Sequence, residues 1–318
     1  MRRFVRFIWL VLAYDVLVVL WGAYVRISFS GDGCGRHWPL CNGELVPHAP
    51  QTKMLVELSH RVSSGGSLVL AFVLFVWAFR AFAKGSPVRR GAGFVLAFTS
   101  AEAIIGAGLV LLRLVAHDES LERGVSTSLH LTNTFLLLAS IAITARVAAG
   151  GRPPSFRGHG SLGALALVTL ASVIFVGATG SIAALGDTLY PSHSLAQGLA
   201  QDVSASAPLF IRIRPIHPFL AVGSGVLMLA LATFAPMSNR SRSVATLSRS
   251  LSIAFFVQVG LGVMNLKLLA PTWLQLLHLA SADVVWVILV VLSTAILGEA
   301  GAVSGSRAGE LAGSRPAR

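Results

Sequence analysis

G-D-G-C-G-R-H-W-P-L-C-N-G, residues 31–43, is followed after a short Pro-containing link by V-E-L-S-H-R, residues 56–61. The first part is a Gly/Pro-rich loop holding the two cysteines of the chain, Cys34 and Cys41. The second opens an apolar run and carries Glu57 and His60, three residues apart and therefore on one face of a helix. The run from Met54 to Phe82 exceeds the roughly 20 residues that cross a bilayer. A polar loop feeding a membrane helix, with a carboxylate and an imidazole at its mouth, makes this a membrane fold with chemistry near one surface.

The rest of the chain agrees. Of 318 residues 54% are hydrophobic and 12% charged, mean hydropathy is +0.75, and a soluble domain carries about 25% charged residues. Eight apolar segments run approximately Phe7–Val25, Met54–Phe82, Gly91–Val115, Val125–Val147, Leu162–Leu185, Ile216–Phe234, Val244–Leu269 and Trp273–Leu297. No period-2 alternation suggests a barrel. The N-terminal M-R-R-F-V-R and its apolar run exceed the h-region of a signal peptide, and no small-x-small site follows, so the run reads as a retained first helix. The tail after Gly298, rich in Gly, Ser, Ala and Arg, reads as disordered, 299–318.

Net charge is +12, mostly from arginine. The basic residues sit in short loops beside apolar runs, which is an orientation signal rather than a nucleic-acid face. Arg2, Arg3, Arg6, Arg80, Lys84, Arg89, Arg90, Arg146, Arg152, Arg157, Arg240, Arg242, Arg307, Arg315 and Arg318 all fall on one side of eight spans, which makes that side cytoplasmic. Asp32, Asp118, Glu119, Glu122, Asp187 and Asp202 fall on the other, with the cysteine loop.

An internal repeat divides the spans. Helix one ends G-A-Y-V-R-I-S and helix five G-A-T-G-S-I-A; helix three carries E-A-I-I-G-A-G-L-V and helix seven V-Q-V-G-L-G-V-M; helix four carries S-L-H-L-T-N and helix eight L-L-H-L-A-S. The fold expected is all-α: eight transmembrane helices as two pseudo-symmetric four-helix bundles, residues 1–150 and 151–298, related in parallel.

The repeat places one histidine near the start of each even-numbered helix: His60, His130, His217 and His278. Each lies one or two turns below the outer rim, roughly 5–10 Å at 1.5 Å per residue. A lone membrane histidine is commonly an interhelical hydrogen-bond donor. Four at matched depth, two per bundle, suit axial ligation of haem iron. Arg61, Arg123, Arg212 and Arg214 near the same rim are candidate partners for haem propionates. His37, His48, His117, His159 and His193 read as solvated loop residues. Glu57 is either a carboxylate favoured by the helix N-terminus or a group that moves protons or stabilises a cation beside a porphyrin. Cys34 and Cys41 suit a disulfide on an oxidising side, as a staple or as a redox-active pair; a C-x-x-C-H haem attachment motif is absent. Glu102, Asn133, Lys267 and Asp283 read as packing partners or as supports for a ligand rather than ligands.

With these residues in place, the sequence resembles the heme A synthase (CtaA) family over nearly all its length. The motifs that carry the resemblance are Gly33–Gly43, Glu57–Arg61, Ser128–Asn133, Ala183–Pro191, Ile216–Ala221 and Gln275–Asp283. The resemblance implies oxidation of a ring methyl of haem O to a formyl group, giving haem A for terminal oxidases, with oxygen from water. It implies that His60 and His130 hold the substrate haem O and that His217 and His278 hold the iron of a haem b cofactor. It makes Glu57 the catalytic carboxylate and Cys34–Cys41 an extracellular disulfide. The second cysteine pair that some members carry after helix five is absent here, around Tyr190 to Gln201. The setting implied is a bacterial inner membrane with both termini cytoplasmic, in lipid, with a haem O synthase as a partner and the electron acceptor unassigned. The competing expectations are a b-type membrane cytochrome that only relays electrons, and a transporter.

Overall fold

The computed structural model describes all residues except 46, 50, 156–159, 240 and 314–318, and side chains only as far as 298. Arg157, Arg240, Arg315, Arg318, His159 and the side chain of Arg307 therefore lie outside the described residues. Ten helices are described: α1 Arg2–Ile27, α2 Thr52–Ala81, α3 Pro87–Leu111, α4 Leu121–Ala148, α5 Gly160–Leu189, α6 Leu195–Asp202, α7 Leu209–Ile213, α8 Ile216–Ser238, α9 Arg242–Lys267 and α10 Thr272–Gly313. The backbone of α10 thus runs on into the tail, 299–318, of which nothing more is described.

Eight stretches are long and apolar enough to cross a membrane, with α7 and α8 counted as one. They match the eight segments expected from sequence. The short helices α6 and α7 were not expected, because at eight and five residues they are too short for an apolar period to stand out. α3 stops at Leu111 rather than Val115: the chain turns there, with Arg113 and Ala116 at φ of 60° and 54°.

Local chemistry starts these helices. Ser86 accepts from the Val88 amide with Pro87 in the first turn of α3. Ser120 accepts from the Arg123 amide at α4, and Ser241 from the Val244 amide at α9. Each cap satisfies a donor that an isolated helix end leaves open.

Within the first half α1 packs on α2 and α4, and α3 on α2 and α4; within the second, α5 packs on α8 and α10, and α9 on α8 and α10. The halves meet where α4 touches α5 and α10, and where α1 touches α10. This explains burial. The best apolar windows of α4 and the last span are 61% and 56% buried, against 11–33% for the other six. Those six present their apolar residues outward, which only lipid can cover without cost. The seam is pinned by Trp286, whose Nε1 donates to the Phe135 carbonyl at 2.7 Å while the rings stack at 5.1 Å.

Alternation of the spans puts the α1–α2, α3–α4, α5–α8 and α9–α10 connections at one end. Arg26, at the last turn of α1, ties that end together: it donates to Ala184 O at 2.6 Å, to Thr188 Oγ1, and to Gln275 Oε1 at 3.2 Å. Two partners lie on α5 and one on α10, so a single guanidinium bridges both halves.

Candidate functional site

The loop after α1 is pressed onto the first turns of α2. A Cβ on Gly33 would lie 2.6 Å from the backbone of Lys53, so only glycine allows this approach. Cys34 and Cys41 form a disulfide with Cα atoms 4.4 Å apart. Closing a loop of this size contributes about 2.5 kcal/mol in the chain-entropy model. The Cys34 amide donates to Glu57 Oε2 at 2.7 Å. Arg61 donates to Glu57 Oε1 from Nη2 at 2.5 Å and from Nε at 3.1 Å. Arg61 also holds the loop itself, donating to the carbonyls of His37 at 2.5 Å and Leu40 at 2.6 Å. Glu57, 3% exposed, is thus the post to which the disulfide loop is tied. A second fastening comes from Arg36, which donates to Leu111 O at 3.3 Å, and from His117, which stacks on Phe29 at 4.3 Å. On the rim nearby, outside the spans, burial and a hydrogen bond to Glu119 push the Tyr190 phenol up to about 12.

The four even-helix histidines are all half-buried and come in twos. His60 and His130 are within electrostatic reach of each other, as are His217 and His278. Each ring lies against a glycine of the preceding span. A Cβ on Gly22 would sit 2.9 Å from His60, on Gly106 3.8 Å from His130, on Gly180 2.9 Å from His217, and on Gly262 3.2 Å from His278. This pattern fixes the repeat register: Gly22 corresponds to Gly180, three residues after the G-A step that aligns the two helices by sequence. Gly177 has a different task, since a Cβ there would meet the Phe135 ring at 2.6 Å.

The ring nitrogens differ in their partners. His217 Nδ1 lies 3.1 Å from Val176 O, so that nitrogen donates and Nε2 is left with its lone pair. His130 Nδ1 faces Glu102 Oε2. His278 Nε2 lies 3.2 Å from Gln258 Nε2. Among the described residues, the buried Nδ1 atoms of His60 and His278 have no hydrogen-bond partner. No group of three or more His, Cys, Asp or Glu converges among the described residues. Imidazoles in twos, with a glycine beside each ring, offer nitrogen donors of the kind that haem iron takes.

Of the expected propionate partners, Arg61 is committed to Glu57 and its loop. Arg123 donates to Ala116 O and Asp118 O at 2.6 Å each. Arg214 pairs with Asp187 at 2.6 Å and Asp202 at 2.7 Å. Arg212 is exposed. Sequence reasoning missed Arg26; its signal was a basic residue closing the first apolar run. Lys267 is exposed. Asp283 is 1% exposed with neither carboxylate oxygen hydrogen-bonded among the described residues.

A family model described as COX15-CtaA, Cytochrome oxidase assembly protein, matches residues 5–290. The chain belongs to the COX15-CtaA family. It is 41% identical over 295 residues to a Thermus thermophilus protein named Protoheme IX farnesyltransferase; the match takes in 93% of this chain and 48% of that protein. It is 37% identical over 112 residues to Heme A synthase of Bacillus mycoides, 35% of this chain and 36% of that protein, and 36% identical over 112 residues to that of Bacillus anthracis. The chain thus spans about half the length of the first of these relatives.

The glycine pattern gives a direct check. Gly180→Ala should drive the His217 ring off its place and break its contact with Val176 O, an overpacking cost of roughly 1–3 kcal/mol. Gly223→Ala, where a Cβ meets nothing within 4 Å, should be neutral or slightly stabilising. Thermal unfolding of both variants in detergent is the measurement; equal midpoints would remove the cradle argument.

Proposed function

We propose that this chain is a haem A synthase that oxidises the ring methyl of haem O to a formyl group. The observation that carries the reading is the set of histidine couples, each ring backed by a glycine, in a chain of this family. In this reading residues 1–150 form one four-helix unit, with His60 and His130 holding the substrate haem O. Residues 151–298 form the other, with His217 and His278 holding the iron of a haem b. When bound there, that haem supplies one-electron redox chemistry. The basic end faces the cytoplasm of a bacterial cell and the disulfide loop faces outward.

Each of two successive oxidations takes one hydrogen from the methyl carbon, as a proton and two electrons that pass to an external acceptor, and adds a hydroxyl from water, whose other proton is released. The first gives a hydroxymethyl, the second a hydrated aldehyde that loses water. Glu57 is assigned to the cationic stage of this chemistry. Three N–H donors already occupy about three of the four lone-pair sites of its carboxylate. Such a group is better suited to hold a charge in place and stabilise a cation than to shuttle protons freely.

Prenyl transfer, the activity in the name of the Thermus relative, is not carried over: the match takes up 48% of that protein, and the histidine couples have no part in it. The same relative supports a partner that makes haem O and hands it on within the membrane. The test is pigment extraction after co-expression with a source of haem O. Haem A in the extract is the expected result. Bound haem with no haem A would make the chain an electron relay, and absence of any haem absorption would end the haem reading altogether.

A further inference from the structure

α3 and α9 carry register-equivalent segments, E-A-I-I-G at 102–106 and Q-V-G-L-G at 258–262. Their closing glycines, Gly106 and Gly262, back His130 and His278. Their opening residues, Glu102 and Gln258, reach the same two imidazoles. One fold thus puts a carboxylate beside one histidine and an amide beside its counterpart.

The carboxylate is built in. Asn133 Nδ2 donates to Glu102 Oε1 at 2.7 Å and Thr134 Oγ1 donates to the same oxygen at 3.0 Å. Asn133 is itself fixed by a bond to Phe98 O at 2.9 Å. With Oε1 occupied, Oε2 is left to His130 Nδ1. Asn133 and Thr134 lie one turn beyond His130 on α4, so the helix that carries the imidazole also carries its orienting groups. Gln258 has no such cage: its buried Oε1 has no hydrogen-bond partner among the described residues. The contacts also use different ring edges, Nδ1 at His130 and Nε2 at His278.

We infer that Glu102 is a positioning residue that locks His130 with Nε2 presented to the porphyrin iron, and that Gln258 makes the other site electronically unlike it. This rests on the haem reading above. A carboxylate accepting from Nδ1–H fixes the tautomer and raises the basicity of the opposite nitrogen, strengthening it as a ligand, most of all for the more highly charged ferric iron. The Gln258 amide, which donates to Nε2 of its imidazole, adds no such basicity. The first-half site is thereby biased toward oxidised iron by a residue that acts through His130.

The experiment titrates the purified full chain with protoporphyrin IX iron, ferric and then ferrous, followed by absorbance. Glu102→Gln keeps size and removes charge. It should weaken ferric binding at the first-half site roughly 10–100-fold and ferrous binding at least tenfold less, which for one electron is a potential higher by about 59 mV. Thr134→Val, which leaves the charge but removes one of the two donors to Oε1, should weaken binding of both forms by a smaller and equal factor; it stands in if the Gln variant does not fold. If the unaltered chain takes up no porphyrin, the haem reading fails and this inference with it. If it does, and Glu102→Gln treats both oxidation states as the unaltered chain does, only the role of Glu102 falls.

Discussion

Glu57→Gln is expected to abolish haem A formation while leaving bound haem in place. The side chain keeps its size, so the tie between α2 and the disulfide loop is loosened rather than cut. What it loses is the negative charge that Arg61 and the Cys34 amide surround. Loss of one positioned electrostatic group in a reacting site costs typically about 100–1,000-fold. The hydrogen bonds and ion pair of Glu57 go to Cys34 and Arg61, not to any of the four histidines, so the absorption spectrum should survive. A structural explanation competes, because Glu57 is also the post for the loop. Cys34→Ser with Cys41→Ser separates the two. It loosens the same loop by about 2.5 kcal/mol but leaves Glu57 charged. Chromatography of extracted pigments after co-expression with a haem O source measures both variants. Haem A from the serine variant and none from Glu57→Gln is the expected pair of results. Normal haem A from Glu57→Gln would remove the assigned role.

Much of this was legible in the sequence because a membrane imposes a simple rule. Backbone groups in hydrocarbon must bond within their own segment, so long apolar runs are helices, and the eight runs became eight spans. The histidines were legible for a related reason: a polar ring at the same depth in alternate helices is too costly to be incidental. Partners across helices were harder. His217 with Val176, and His60 with Gly22, join residues 41 and 38 positions apart, and no local pattern announces which glycine will face which ring. The repeat showed glycines in helices one and five but set them three residues out of register. Glu102 was recognisable only as a packing partner or a support for a ligand; that it faces His130 follows from the packing of α3 on α4. Arg61, Arg123 and Arg214 illustrate the opposite case. Their position at the rim suited propionates, yet short loops bring carbonyls and carboxylates to them first. A guanidinium with five donors accepts such partners readily.

The second large effect is expected from His217→Ala. This ring is fixed by the fold itself: Nδ1 is engaged by a main-chain carbonyl of α5, and Gly180 gives the ring its place. Removing it takes away one side of the second couple and leaves nothing on α8 to replace it, since Pro218 and Phe219 follow. A six-coordinate low-spin haem needs both axial nitrogens, so the low-spin signal of that site should vanish rather than diminish, with one haem fewer per chain. His60→Ala should leave that signal intact, because its ring belongs to the other couple. The contrast between these two variants, read by low-temperature electron paramagnetic resonance with haem content per protein, tests the pairing itself. Equal loss from both would mean that the four rings act as one cluster. An unchanged low-spin spectrum in His217→Ala would take His217 out of the ligand set, and with it the argument that the glycine-backed rings mark two separate haem sites.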